Sequence, residues 1–174
     1  MAKLQLLPVL VALVLALAGV SLAHDPVTKT VGDALNPDGL VLEGRVYCDT
    51  CRAGFETDLT AYIPGAKVRL ECTRYGTDEV TYAAEATTDL LGIYQIVVPG
   101  DHSEDQCSVV LMKSAVDNCT EIKPGRDRAR VVLAQDGGLL SNVRRANALG
   151  FLIAEPLAEC GKLLQKYGFA NDDD

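Results

Sequence analysis

The feature that most constrains the fold of this chain is a pair of cysteines three positions apart, Cys48 and Cys51, at the end of a strand-like segment. Four more cysteines follow, at positions 72, 107, 119 and 160. In an exported chain, six cysteines indicate three disulfide bonds, and fifteen pairings are possible. The compartment of the chain therefore decides how its cysteines are interpreted.

The first 23 residues have the pattern of a secretory signal peptide. A short positive start that contains Lys3 precedes an apolar run over residues 4–20, and Ser21-Leu22-Ala23 supplies the small residues of a cleavage site. A membrane anchor is the alternative, since about 20 apolar residues can span a bilayer. The run is short and ends in a cleavage-type site, so we expect a signal peptide at 1–23 and a secreted protein that begins at His24.

The charge balance disfavours several classes of partner. The chain has 24 acidic and 16 basic residues, a formal net charge of −8, and loss of Lys3 with the signal makes it one unit more negative. Phosphate polymers and anionic membranes attract basic surfaces, so we expect neither nucleic-acid binding nor membrane insertion. The chain also has no Trp, 6 Tyr and 3 Phe, which weakens a sugar-stacking interpretation.

Hydrophobic periodicity predicts a mainly β fold. Residues 66–72 alternate between apolar and charged side chains, as in a half-buried strand, and Pro64-Gly65 supplies a turn before them. Further strands are predicted at 40–47, 80–87, 93–98, 107–112 and 130–134. Such spacing, without alternating long helices, indicates a small antiparallel β-barrel or sandwich.

The ends of the chain differ from this β region. Residues 24–39 lack a clear period and are predicted to be a flexible extension, and 169–174 an acidic tail. A short helix is predicted with Pro156 in its first turn and Gly168 at its end, since proline favours a first helical turn and glycine a helix end. The predicted domain therefore spans residues 40–168.

Three interpretations compete for Cys48-Asp49-Thr50-Cys51. A redox-active pair needs a helix N-terminus to lower the thiol pKa, and Arg52-Ala53-Gly54-Phe55 is a poor helix start. A structural zinc site needs a second close pair of ligands, and the chain has only 2 His. The remaining interpretation is that each cysteine joins the strand end to a different distant segment. Each such bond would stabilise the fold by about 3–4 kcal/mol in the chain-entropy model.

Other groups that could support chemistry are few. A copper site built on His24 would need His102 as its second histidine, and these lie in a predicted mobile extension and a polar loop. Asp101, Glu104 and Asp105 cluster in that loop, where paired acids could act on glycosides, but such loops are usually solvated turns. The sequence contains no nucleophile motif. We therefore expect no enzyme, metal or cofactor; the loop at 100–106 is the candidate for an alternative role as a protease inhibitor.

The segment Glu43-Gly44-Arg45-Val46-Tyr47-Cys48-Asp49-Thr50-Cys51-Arg52 resembles the signature of the olive major pollen allergen-like family of secreted plant proteins, at every specified position. The resemblance continues through residues 64–72, 88–94 and 146–151 and covers about residues 40–168. It implies three disulfides, Cys48–Cys119, Cys51–Cys160 and Cys72–Cys107, in a small β-barrel or sandwich.

The resemblance also implies a function. Family members are associated with pollen and the cell wall, and some are allergens. The roles proposed for them are in pollen hydration, germination or tube growth, with receptor kinases as candidate partners. Glycosylation varies within the family, and Asn118-Cys119-Thr120 is an acceptor sequence for N-glycosylation whose middle residue is a disulfide cysteine. A module that acts on wall polymers, or a protease inhibitor, is the alternative function.

Overall fold

The computed structural model describes residues 39–135 and 141–169. The predicted signal peptide, nearly all of the N-terminal extension and residues 170–174 of the acidic tail lie outside these ranges. The chain order of the elements is β1 Gly39–Asp49, β2 Ala61–Tyr62, β3 Lys67–Arg74, β4 Val80–Thr87, β5 Ile93–Pro99, β6 Asp105–Lys113, β7 Arg128–Val131, β8 Val143–Arg145, β9 Leu149–Leu152 and the helix α1 Cys160–Lys166. The prediction of a mainly β fold with a short C-terminal helix is confirmed.

The longest strand, β1, organises a five-stranded sheet. It pairs antiparallel with β5 over residues 39–45 and with β2 at Tyr47 and Cys48. It also pairs parallel with β8 at residues 41–43 and with β9 at residues 46–49. The parallel pairs differ from the purely antiparallel sheet that the sequence predicts. Two parallel strands need a long crossover connection, and the chain provides one because β6 and β7 of the other sheet precede β8 and β9.

The second sheet has four strands in the order β4-β3-β6-β7, and all neighbours are antiparallel. The alternation in β3 places Val68 and Leu70 at 0% exposure while Lys67 is exposed. Side chains of successive strand residues point to opposite faces, so one face of this sheet is apolar and the other is polar.

The core lies between the apolar faces of the two sheets. Its largest fully buried side chains come from both, and include Leu42, Tyr94 and Phe151 from the five-stranded sheet and Leu70 and Val109 from the four-stranded one. Among the described residues, the strand pairings form two separate sheets. The fold is therefore a β-sandwich, one of the two predicted architectures.

Three short strands were not predicted. β2 has two residues and β8 three, too few for a recognisable period, and the four residues of β9 are all buried. The strand expected at 130–134 is β7 and lies at 128–131. The helix begins at Cys160, later than predicted, because the segment before it is bonded to the end of β1 and to the turn that follows. The Ile153 N–H donates to the Asp49 carbonyl and the Leu157 N–H donates to the Thr50 carbonyl. Gly168, with φ +86°, follows its end.

Candidate functional site

The segment 43–52, here called the signature segment, forms the second half of β1 and the turn after it. Gly44 lies directly opposite Tyr94 of β5, and a Cβ atom on Gly44 would overlap the end of the Tyr94 ring. The Tyr94 side chain therefore crosses β1 on the core side. Its hydroxyl is buried, makes no hydrogen bond with the described residues, and has a raised pKa because burial disfavours the phenolate.

A second tyrosine crosses a glycine on the opposite face of β1. Tyr47 pairs with Gly150 of β9, and a Cβ atom on Gly150 would overlap the Tyr47 ring. Burial raises the pKa of the Tyr47 hydroxyl, and the neighbouring carboxylates of Asp49 and Glu56 add to this. The glycines at 44 and 150 are thus required by close approach of aromatic rings, which is a packing role.

Asp49 is 3% exposed and organises the turn that follows β1. Its carboxylate accepts hydrogen bonds from the backbone N–H groups of Ala53, at 3.0 Å, and Gly54, at 2.6 Å. The Arg126 guanidinium lies 3.9 Å from the same carboxylate and covers Gly54 so closely that a Cβ there would overlap it. Each oxygen of this carboxylate accepts one backbone N–H and the residue is shielded from solvent, so Asp49 acts as a structural cap of the turn.

Arg52 links the signature segment to two distant parts of the chain. Its guanidinium forms two hydrogen bonds with the Glu121 carboxylate, at 2.5 and 2.8 Å, and donates to the Ile153 carbonyl at 2.6 Å. These hydrogen bonds lower the pKa of Glu121. Among the non-glycine residues that the structure describes, Arg52 alone has a positive φ, of 53°. The turn therefore brings its side chain to this position at some conformational cost.

The six cysteines form three disulfides in the structure, Cys48–Cys119, Cys51–Cys160 and Cys72–Cys107. These are the pairs that the family resemblance implies. No cysteine is free, and all six are at most 5% exposed. The Cys48-x-x-Cys51 motif therefore joins the end of β1 to two separate segments, and its sulfurs are neither thiolates nor metal ligands.

The loop before β6 holds the second group of candidate residues. His102 lies between two acceptors: Nδ1 is 2.8 Å from the Asp105 carboxylate and Nε2 is 3.2 Å from the Pro99 carbonyl. The ring packs against Tyr82 with centroids 5.2 Å apart. Both ring nitrogens therefore face acceptors, and an imidazole can donate to both only when it is doubly protonated.

His102 also lies close to a disulfide. One of its nitrogens and the sulfurs of Cys72 and Cys107 lie within 4.8 Å of one another, the arrangement in the described residues that most resembles a metal site. The two sulfurs are bonded to each other, so they cannot serve as thiolate ligands. His24, the other residue of the copper hypothesis, lies outside the described residues.

The carboxylates of this loop are stabilised in their charged form. Hydrogen bonds from Ser103 and from the backbone of Gln135 lower the pKa of Asp101, and contacts with His102 and Thr81 lower that of Asp105. A glycosidase needs one carboxylic acid with a raised pKa to protonate the leaving group. Asp101 and Asp105 have shifts in the opposite direction and do not fit that role.

Asn118 is exposed beside the Cys48–Cys119 disulfide. It lines an open groove of about 370 Å³ together with Asp117, Thr120, Glu121 and Glu155. An exposed acceptor sequence at a groove is accessible to a glycan in the folded protein, and its use remains a prediction. No helix within residues 39–135 or 141–169 has the length and apolar character needed to cross a membrane.

These features define a class of protein: a disulfide-linked β-sandwich in which the side chains of the signature segment make contacts that hold the fold together. A family model described as "Pollen protein Ole e 1 like" matches residues 38–168. The pollen-specific protein C13 of Zea mays is 46% identical over 142 residues, which cover 82% of this chain and 84% of that protein. Pollen allergen Phl p 11 of Phleum pratense is 48% identical over 130 residues, covering 74% and 91% respectively.

A solved structure agrees with these sequence matches. The crystal structure of the major plantain pollen allergen Pla l 1 superimposes with a TM-score of 0.63 at 27% identity, covering 70% of this chain and 99% of that one. The chain belongs to the Ole e 1-like family of pollen proteins, which confirms the resemblance seen in the sequence. Its named relatives are pollen-specific proteins and pollen allergens.

Proposed function

We propose that this protein is a secreted, non-enzymatic factor of the extracellular space or cell wall that acts in pollen hydration, germination or tube growth. It would do so as a ligand or structural component, with an extracellular receptor kinase or a wall component as its partner. Family membership and the pollen-related names of its relatives support this role.

The proposal depends on one observation: the side chains of the signature segment make their contacts within the fold. Asp49, Arg52 and Tyr47 are the residue types expected in active sites, yet the first two use their polar groups in hydrogen bonds within the fold and the third is packed over Gly150. The contacts of this segment hold the scaffold together. A rigid scaffold with free outer surfaces suits a protein that is recognised by a partner.

The proposal can be tested with the protein expressed from its own signal. We expect secretion, a mature N-terminus at His24, and a mass that falls after glycosidase treatment unless Asn118→Gln has been introduced. Retention in the cell would contradict the localisation. A pull-down from pollen-tube membranes and walls should recover a saturable partner.

The same preparation distinguishes the alternative function. A panel of protease-inhibition and wall-polymer hydrolysis assays should show no activity above the buffer control. Asp101→Asn and Glu104→Gln serve as the diagnostic variants, since they alter the loop before β6. Turnover or inhibition that these variants remove would replace the proposed function with the enzymatic or inhibitory one.

A further inference from the structure

The outer face of the four-stranded sheet is basic, although the chain as a whole is acidic. We call it the basic face and define it by the outward-facing cationic residues of β3, β6 and β7. These are Lys67, Arg69, Lys113, Arg128 and Arg130. The outward-facing acids of β3 and β4 are Glu71 and Glu85. The strands of this face therefore carry five cations and two carboxylates on their outward side, whereas the whole chain has 16 basic and 24 acidic residues.

The register brings these cations together at a cost to the fold. Lys67 lies directly opposite Lys113 on the neighbouring strand, and like charges in that position destabilise a sheet. In the next row, Val110 pairs with both Arg69 and Arg128. Adjacent strands lie about 4.8 Å apart and alternate residues about 6.7 Å apart, so the five charges occupy one compact area.

The protein neutralises this area only in part: Glu85 of β4 lies directly opposite Arg69, and two exposed ion pairs add to it. The Arg69–Glu71 contact is 3.4 Å with both side chains more than a third exposed, and the Arg128–Asp127 contact is 3.5 Å. Exposed pairs of this kind contribute about 0–1 kcal/mol. Lys67 and Lys113 form no ion pair with any residue in the described ranges. A cluster of cations that the fold does not need suggests an external anion.

We propose that the basic face binds a linear polyuronate, a polysaccharide with a carboxylate on each sugar. Arginine and lysine pair with carboxylates through charge-assisted hydrogen bonds, and several such contacts in a row add up along a polymer. This inference deepens the proposed function, on which it rests, because it names the chemistry of a wall partner.

The composition of the face favours this polymer over a protein partner. Interfaces between proteins have apolar and aromatic residues at their centre. On the basic face, Val110 is only 8% exposed. Among the described residues of β3, β6 and β7, Met112 is the large apolar side chain that is exposed to solvent, at 44%. The lack of an outward-facing aromatic ring on those strands also disfavours recognition of an uncharged sugar by stacking.

Charge density favours a polyuronate over a nucleic acid. Duplex DNA has one negative charge per about 1.7 Å of axis, whereas a polyuronate has one per sugar. Glu71 and Glu85 stand among the cations, and the remainder of the chain is strongly acidic. These carboxylates repel a dense phosphate polymer more strongly than a polymer of lower charge density.

The test is a titration of the full mature protein with polygalacturonate of defined length at several salt concentrations. Two double variants remove cations from the face: Lys67→Gln with Lys113→Gln, and Arg128→Gln with Arg130→Gln. The matched control, Arg145→Gln with Lys166→Gln, makes the same change in net charge at side chains that are 80% and 71% exposed and not on the basic face.

We expect each basic-face variant to bind about 3- to 30-fold more weakly, which corresponds to the loss of two exposed ion pairs, and to show a smaller salt dependence. The control should stay within about twofold of the parent, and fully methyl-esterified polymer should not bind. Thermal unfolding within about 2 °C of the parent would show that the variants are folded.

Three results would overturn the proposal. The control could weaken binding as much as the basic-face variants do, or the methyl-esterified polymer could bind as well as the acid form. Polyglutamate of equal charge could bind more tightly with the same sensitivity to the variants, which would make an acidic protein the partner. If polygalacturonate does not bind the parent protein while the pull-down still recovers a pollen-tube partner, the polyuronate assignment also fails and the proposed function stands.

Discussion

Replacing Tyr94 by Phe should stabilise the protein, which is unusual for a change at the centre of a core. The Tyr94 side chain is 1% exposed, and its hydroxyl makes no hydrogen bond with the described residues. A buried polar group without a partner costs about 1–3 kcal/mol, and phenylalanine keeps the ring in place. We expect a gain of about 1 kcal/mol in the free energy of unfolding and a rise in Tm of about 2–4 °C.

The partner position provides an internal check on this reasoning. Gly44→Ala would place a methyl group against the Tyr94 hydroxyl and the two nearest ring carbons, all closer than real Cβ contacts allow. Overpacking of this kind costs about 1–3 kcal/mol. Combining both changes relieves the contact with the hydroxyl but leaves the ring carbons, so a coupling energy of at least about 0.5 kcal/mol is expected.

The measurement is equilibrium unfolding in urea with the disulfides intact, at one pH, for the parent, both single variants and the double variant. Gly161→Ala is the matched control, since a Cβ there meets no atom within 4 Å and the residue lies in α1. Alanine should stabilise that helix position by about 0.5–1 kcal/mol. Loss of stability in Tyr94→Phe would show that the hydroxyl has a partner, and additive effects would refute the close approach.

Two further predictions concern pH and the disulfides. Contacts with His102 and Thr81 lower the pKa of Asp105 below its ordinary value of 3.8, so the stabilisation that this carboxylate provides is present above pH 3.8 and is lost as the pH falls through the lower folded-state pKa. Unfolding free energies measured from pH 6 to pH 2 should fall less steeply at the acid end for Asp105→Asn; an unchanged profile would contradict this. For the disulfides, the chain-entropy model gives about 5 kcal/mol for the bond that spans 109 residues, Cys51–Cys160, and about 4 kcal/mol for the bond that spans 35, Cys72–Cys107. Paired Cys→Ser variants should show that order in thermal unfolding, and the reverse order would indicate that residual structure in the unfolded chain dominates.

The strands with a clear local pattern could be predicted from the sequence. β4 was predicted with its observed bounds, and β3, β5 and β6 within two residues at each end. The signal differed between them, because β3 alternates between apolar and charged residues, β5 is rich in β-branched residues, and β6 is an apolar run long enough for a central strand. β9 could not be predicted, because all four of its residues, Leu149-Gly150-Phe151-Leu152, are buried. Its position also depends on pairing with β1, which lies about a hundred residues earlier in the chain. Periodicity reports which face of a strand is covered, and a strand of four residues that is covered on both faces gives neither a period nor a long apolar run.

The roles of single residues depended more strongly on long-range contacts. Spacing alone left fifteen disulfide pairings open, and the pairs came from the family resemblance. The sequence indicated no individual role for Asp49 or Arg52, because their partners, Arg126 and Glu121, lie about seventy residues away along the chain. The basic face was also beyond the sequence, since it forms only when the sheet order places β6 between β3 and β7.

The signature segment therefore identifies the family, and the polar side chains of Asp49 and Arg52 within it form contacts that hold the fold. Its glycine and tyrosine positions are fixed by contacts on both faces of β1, and its acidic and basic side chains hold the turn that carries Cys51. A change at any of these positions is therefore expected to alter the scaffold. Differences in partner between relatives then have to arise on surfaces that the fold does not use, and the basic face, where Lys67 opposes Lys113, is such a surface. Exchanging its five cations for the residues of a relative should therefore change which polymer or partner is bound while leaving Tm nearly unchanged, and a large loss of Tm would show that the face is structural instead.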